Sequence, residues 1–126
     1  MNIVHVEDEK PLKDILKTTL AAFDPSVNII QFTTGDDALT YIEKHPESID
    51  LFILDIRLPG KLNGVQLAEK IRELQCQGHM VITSAFSRPS PEILTTLRCD
   101  YYRKPWHLVE LMQKLLHYKN KDLPKS

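Results

Sequence analysis

The sequence predicts a doubly wound α/β fold, a parallel sheet with helices on both faces. Three observations predict it. Five short apolar runs alternate with five segments of helical period along the chain. Strict βα alternation favours parallel strands, because a parallel pair needs a crossover and right-handed crossovers can place helices on either side. The run "LFIL" at 51–54 is apolar at every position rather than every second one, as in a strand buried on both faces. Finally, 126 residues make about one domain, long enough to bury roughly two-thirds of the unfolded chain's surface around one core.

In chain order, the first strand is expected at Asn2 to Val6. A helix follows, with Leu12, Ile15, Leu16, Leu20 and Phe23 on one face and Pro11 in the first turn, where a missing N–H is no loss. The second strand is Asn28 to Phe32, and its helix starts near Gly35. The third is Leu51 to Leu54, followed by a helix from near Asn63 carrying Val65, Leu67, Ala68, Ile71 and Leu74. The fourth is Met80 to Thr83, after which Ser90-Pro91-Glu92 reads as N-cap, first position and acidic first turn of a short helix. A brief strand at Tyr101 to Tyr102 precedes a last helix with Leu108, Leu111, Met112, Leu115 and Leu116 on one face. Residues 1–119 form the domain, and 120–126 read as a C-terminal tail.

Bulk composition narrows the class. A formal net charge of -1 gives no electrostatic footprint for nucleic acid, and the late lysines Lys119, Lys121 and Lys125 read as a solvated tail. Cys76 and Cys99 lie far apart without metal-type spacing, which favours a reduced, cytoplasmic setting over a disulfide framework. No apolar run approaches membrane length, so no membrane contact is expected. His5 falls inside a core strand and reads as a packed, hydrogen-bonded histidine rather than a ligand.

Sites in open parallel sheets form outside the carboxyl ends of the strands. Strand one ends in Glu7-Asp8-Glu9, strand three in Asp55, strand four in Thr83-Ser84 and strand five in Arg103-Lys104-Pro105. Taken singly, each has an ordinary explanation: a helix N-cap, a turn hydroxyl, a surface charge. Together they differ. With strands one and three adjacent, Glu7, Asp8 and Asp55 converge, and such carboxylates oppose joint ionisation unless a cation offsets them. Mg2+, a hard ion that takes one or two carboxylates plus phosphate oxygens, suits the set. Lys104 adds a point charge for an anion and Ser84 a hydroxyl donor. These are the parts that phosphoryl transfer requires, with Asp55 as the nucleophile, since a carboxylate can form an acyl phosphate.

The chain resembles the receiver domains of bacterial two-component response regulators, from "IVHVEDE" through "LFILDIRLPGKLNG" and "VITSA" to "YYRKPW". The resemblance implies a five-stranded sheet of order 2-1-3-4-5, with Asp55 as the phosphoryl acceptor and Glu7 and Asp8 as the metal-binding acids. It makes Arg57 the position whose backbone carbonyl reaches the metal, Lys104 the family's lysine, Ser84 the switch hydroxyl and Tyr101 the aromatic whose rotamer reports the state. A cis bond before Pro105 is also implied. So is a partner face on helix four, strand five and helix five, with Tyr102, Arg103 and Trp106 as candidates. The implied function is a stand-alone switch phosphorylated by a sensor histidine kinase or phosphotransfer protein. It would catalyse only its own phosphorylation and dephosphorylation and signal to a downstream protein by contact, touching no nucleic acid directly.

Several residues depart from the family's commonest pattern. Thr83 and Ser84 are adjacent, and Ser84 is preferred because the small Ala85 follows it. The loop after Asp55 holds one extra residue before Gly64, so "PGKLNG" is expected to bulge near Lys61. Arg98 stands where many members place glycine, and arginine does not take positive φ cheaply. Arg57 and Phe86 are bulky near the nucleophile, where they either face solvent or hinder water. Other α/β phosphoryl chemistries fit less well. A haloacid-dehalogenase-like phosphatase needs a second aspartate where Arg57 stands, and Glu7-Asp8-Glu9 would repel the phosphate of a flavodoxin-like FMN site. A scaffold that binds partners regardless of phosphorylation, and the receiver part of a longer regulator, remain as alternatives.

Overall fold

The computed structural model describes residues 1–106, 110, 111, 113, 114, 117 and 118. Its elements are β1 (Asn2–Val6), α1 (Lys10–Phe23), β2 (Asn28–Phe32), α2 (Gly35–Lys44), β3 (Leu51–Asp55), α3 (Gly64–Glu73), β4 (His79–Ser84), α4 (Pro91–Leu97) and β5 (Cys99–Arg103). Residues 110, 111, 113, 114, 117 and 118 are helical. Of the face expected on the last helix, Leu111 is buried, while Leu108, Met112, Leu115 and Leu116 lie outside the described residues, as do Lys119 and the tail.

All five strands are parallel, in the order β2-β1-β3-β4-β5. The sheet divides two cores by the two-residue alternation of its side chains. Along β3, Phe52 and Leu54 join Val4, Val6, Ala38, Ile42, Leu67, Ile71 and Ile82 on the face covered by α2, α3 and α4. Leu51 and Ile53 join Ile3, Leu16, Leu20 and Val81 on the α1 face. Every residue of β3 is buried. At about 1.5–3 kcal/mol for each large apolar side chain removed from water, these four residues fix the strand that ends in Asp55.

The helix boundaries follow local chemistry. Pro11 sits in the first turn of α1. Asn63 and Gln66 form a reciprocal capping box on α3, with Gln66 N donating to Asn63 Oδ1 at 2.8 Å and Asn63 N to Gln66 Oε1 at 2.9 Å. Ser90 accepts from the Ile93 amide at the start of α4. The expected apolar face of α1 needs correction, since Leu16 and Leu20 are buried but Ile15 and Phe23 are 45% and 47% exposed. Only one edge of that stripe meets the sheet. Strand five is longer than the two tyrosines indicated, because its register with β4 begins at Cys99.

Arg98 adopts φ 54, the left-handed conformation that glycine takes more cheaply. Arg72 braces the turn, donating from Nε to Leu97 O at 2.7 Å and from Nη2 to Arg98 O at 3.0 Å. The peptide before Pro105 is cis. His5 is buried, and its Nδ1 lies 3.1 Å from Gln31 Nε2, a donor, so Nδ1 is the acceptor of a neutral ring. Burial, then the charges of Lys104 and Lys13, push its pKa down to about 3.

Candidate functional site

At the carboxyl edge, the central strands place the polar residues side by side. Glu7 follows β1, its amide donating to Phe32 O at 3.0 Å, and its side chain is fully buried. Asp55 ends β3, 6% exposed, and Asp8 is exposed beside it. Among the described residues, Glu7, Asp8 and Asp55 form a group in which one carboxylate oxygen from each lies within 4.8 Å of the others. From across β4, Lys104 Nζ pairs closely with Glu7 Oε1 and lies 3.3 Å from Asp55 Oδ2. The Lys104 amide donates to Ser84 O at 2.9 Å, which sets the start of that side chain.

The site holds more negative charge than one ammonium offsets. Two carboxylates within 4.8 Å repel by about 3 kcal/mol at an effective dielectric of about 20. Burial, helped by the Asp55 charge and opposed by Lys104, raises the Glu7 pKa to about 7. Burial also raises the Asp55 pKa, again opposed by Lys104. Below the ordinary carboxylate pKa, the group is protonated in folded and unfolded chains alike, and the folded site carries none of this cost. As pH rises through about 7, Glu7 must ionise in the folded protein, and stability falls. An oxygen-only donor set with surplus negative charge suits a hard divalent cation.

A cavity of about 190 Å³ opens over these groups, lined by Asp8, Glu9, Asp55, Arg57, Ser84, Ala85, Phe86 and Lys104. Ser84 lines it and Thr83 does not. The Ser84 Oγ accepts from the amides of Phe86 and Ser87, each at 3.1 Å, which leaves its hydrogen available to a new acceptor. Tyr101 is half-buried and donates from its hydroxyl to Ser84 O at 3.3 Å. At the mouth, the Arg57 guanidinium stands 4.4 Å over the ring of Phe86, which is 73% exposed. The two bulky residues are therefore one stacked pair.

Tyr102, Arg103 and Trp106 lie on the other side of Lys104. Tyr102 and Trp106 pack against the α1-side core, and Arg103 is exposed. With Lys104, Pro105, Glu110 and Leu111 they line a cavity of about 350 Å³. Trp106 is thus partly a core residue. Among the described residues its buried indole nitrogen has no hydrogen-bond partner.

One requirement escaped the residue-by-residue reading. A Cβ added to Gly64 would lie 2.1 Å from the Asp55 carbonyl oxygen and 2.9 Å from Ile56 Cα. Only glycine lets the start of α3 approach the backbone that carries Asp55. The Asn63-Gly64 pair after the loop was the available signal, although it reads equally well as a simple helix start.

Residues 3–116 match the family described as response regulator receiver domain. The chain is 32% identical over 89 residues to the transcriptional regulatory protein DesR of Bacillus subtilis, covering 71% of this chain and 42% of that protein. It is 31% identical over 117 residues to the transcriptional regulatory protein DltR of Streptococcus agalactiae, covering 91% and 50%. The chain thus spans about half the length of these curated relatives. Among solved structures, it resembles the response regulatory domain of protein mrkE from Klebsiella pneumoniae, with a TM-score of 0.83, 25% identity, and coverage of 96% of this chain and 97% of that one. No helix among the described residues is long and apolar enough to cross a membrane.

Proposed function

We propose that this chain, which belongs to the response regulator receiver domain family, is a switch that accepts a phosphoryl group on Asp55. The observation that carries this reading is the convergence of Glu7, Asp8 and Asp55 with Lys104 at one end of the sheet. An Asp55 carboxylate oxygen attacks phosphorus, the P–O bond of an acyl phosphate forms, and the bond to the donor breaks with its electron pair leaving on the donor. The donor is a phosphohistidine on a sensor kinase or phosphotransfer protein. Lys104 shifts from Asp55 to a phosphoryl oxygen, within reach of its present position. Ser84 supplies its hydroxyl hydrogen to another. Glu7, Asp8, Asp55 and the Arg57 carbonyl would hold Mg2+, which when bound neutralises the clustered acids and the transferring oxygens.

Movement of Ser84 toward the phosphoryl group disturbs the carbonyl that Tyr101 holds, which links the site to β5. The resulting change is a population shift, so the phosphoryl group must favour the active arrangement over the resting one. Tyr102, Arg103 and Trp106 form the face read by a downstream protein, and the switch works in the cytoplasm on no substrate but itself.

Incubation with Mg2+ and acetyl phosphate, followed by intact mass, tests the proposal. Wild type should gain one phosphoryl group, and Asp55→Asn or excess chelator should prevent the gain. No gain from any donor would favour a phosphorylation-independent scaffold. A second reading follows from the greater length of DesR and DltR: the same switch works as the receiver part of a longer regulator, where nucleic acid would be met through another part.

The stack of Arg57 on Phe86 covers the mouth over Asp55 and slows water's approach to the acyl phosphate. Arg57→Asn and Phe86→Ala should each shorten the phosphoryl lifetime several-fold, since either change removes a contact of about 0.5–1 kcal/mol and opens the mouth. Decay of the phosphorylated mass with time is the readout. Equal lifetimes in wild type and both variants would reject the shielding role.

A further inference from the structure

We infer that Asp36, on α2, is a positioning residue for the ion site, holding the loop that presents the Arg57 carbonyl. The inference rests on the phosphoryl-switch reading and adds to it a residue outside the acid cluster. The loop begins at Asp55 and ends at α3. Its ends are fixed by Ile56 N donating to Thr83 O and Gly64 N to Ile56 O, both at 2.9 Å. Its middle contains the extra residue and would otherwise have slack.

Asp36 takes up that slack. The Lys61 amide donates to Asp36 Oδ2 at 3.0 Å. Gly60, at φ 92, turns the chain against the same oxygen, and a Cβ there would lie 2.6 Å from it. Beside Asp36, Gly35 is buried under the loop, where an added Cβ would meet Leu62 at 3.1 Å and Leu58 at 3.7 Å. The first turn of α2 therefore supports the loop in two ways: an apolar seat under Leu58 and Leu62, and one charged acceptor beyond them. Asp36 is itself held on a capped helix, since Thr34 accepts from the Asp37 amide at 3.1 Å. A ligand carbonyl is effective only when its backbone is fixed, and residues that orient a metal's ligands commonly change its affinity by about 10–100-fold.

Mg2+ titration followed by the amide NMR shifts of Asp8, Asp55 and Arg57 tests this. Asp36→Ala should weaken Mg2+ binding about tenfold, with amide shifts remote from the loop unchanged. Gly60→Ala, which pushes on the same contact from the loop side, should weaken it similarly. Asp36→Asn keeps an acceptor oxygen while losing the charge at the helix start, and should bind within about twofold of wild type. A merely structural role in α2 would make the Asn and Ala variants alike. Wild-type affinity in both Asp36→Ala and Gly60→Ala, or equal weakening in Asp36→Asn and Asp36→Ala, would overturn the inference while the switch reading stands. If wild type itself shows no saturable binding sensitive to Asp8→Asn, the switch reading fails, and this inference with it.

Discussion

Lys104→Met is expected to destabilise the metal-free protein by about 3 kcal/mol at pH 8.5 and by less than half of that near pH 5.5. The lysine is the cation paired with Glu7 and Asp55, whose side chains are 0% and 8% exposed. Removing one partner of a buried pair leaves charge with neither water nor counterion, a loss of about 3–5 kcal/mol when the group stays ionised. The pH dependence follows from the shift already present. Burial raises both carboxylates and Lys104 opposes the rise, so without it they titrate higher still. The folded variant then binds protons that the unfolded chain has released, and its stability falls as pH increases. Urea unfolding at the two pH values is the measurement, and a loss under about 1 kcal/mol, equal at both, would contradict the pairing. Phosphoryl uptake should also fall sharply, since methionine cannot follow the transferring oxygens.

The second large effect lies at the opposite end of the strands. Arg72→Met should destabilise the protein by about 2–3 kcal/mol, yet leave phosphoryl uptake intact in the folded fraction. The guanidinium donates to Leu97 O, Arg98 O, Cys76 O at 2.9 Å and Gly78 O at 3.1 Å, joining the end of α3 to the α4–β5 turn. Its loss leaves the partly buried carbonyls of Leu97, Cys76 and Gly78 short of a donor, beside a backbone already in a left-handed conformation. Arg72→Lys should recover little, because one ammonium cannot span that fork of acceptors. A loss below about 1 kcal/mol in urea would show that water replaces the arginine at little cost.

These two residues illustrate what sequence alone could and could not reveal. "LFIL" announced a strand buried on both sides, and the strand-end position of Asp55 followed from it, because local apolar pattern and sheet architecture point the same way. The juxtaposition of Glu7, Asp8, Asp55 and Lys104 was legible once strand order was assumed, since each stands immediately at or after a strand's end. The pairing of Lys104 with Glu7 was not, for it depends on side-chain reach across β3 and β4. Arg72 carries no local signal of its role. Its acceptors lie up to 26 positions away, and nothing local marks them. Arg98 stands where glycine fits more cheaply, and its support comes from that same distant arginine. Periodicity puts Ile15 and Phe23 on the apolar stripe of α1, but it does not say how much of that stripe the sheet covers. Loop length points to a bulge near Lys61, but nothing in the sequence points to the Asp36 carboxylate that accepts from the Lys61 amide.

The most direct measurement is anomalous scattering from Mn2+, standing in for Mg2+, in crystals of the wild-type protein. One peak is expected, at about 2.1 Å, the ligand distance of a small hard cation, from oxygens of the Glu7-Asp8 pair, Asp55 and the Arg57 carbonyl, with Lys104 on the far side of Asp55. Saturating Mn2+ with no peak between the acids that end β1 and β3, or with its strongest peak elsewhere, would contradict it.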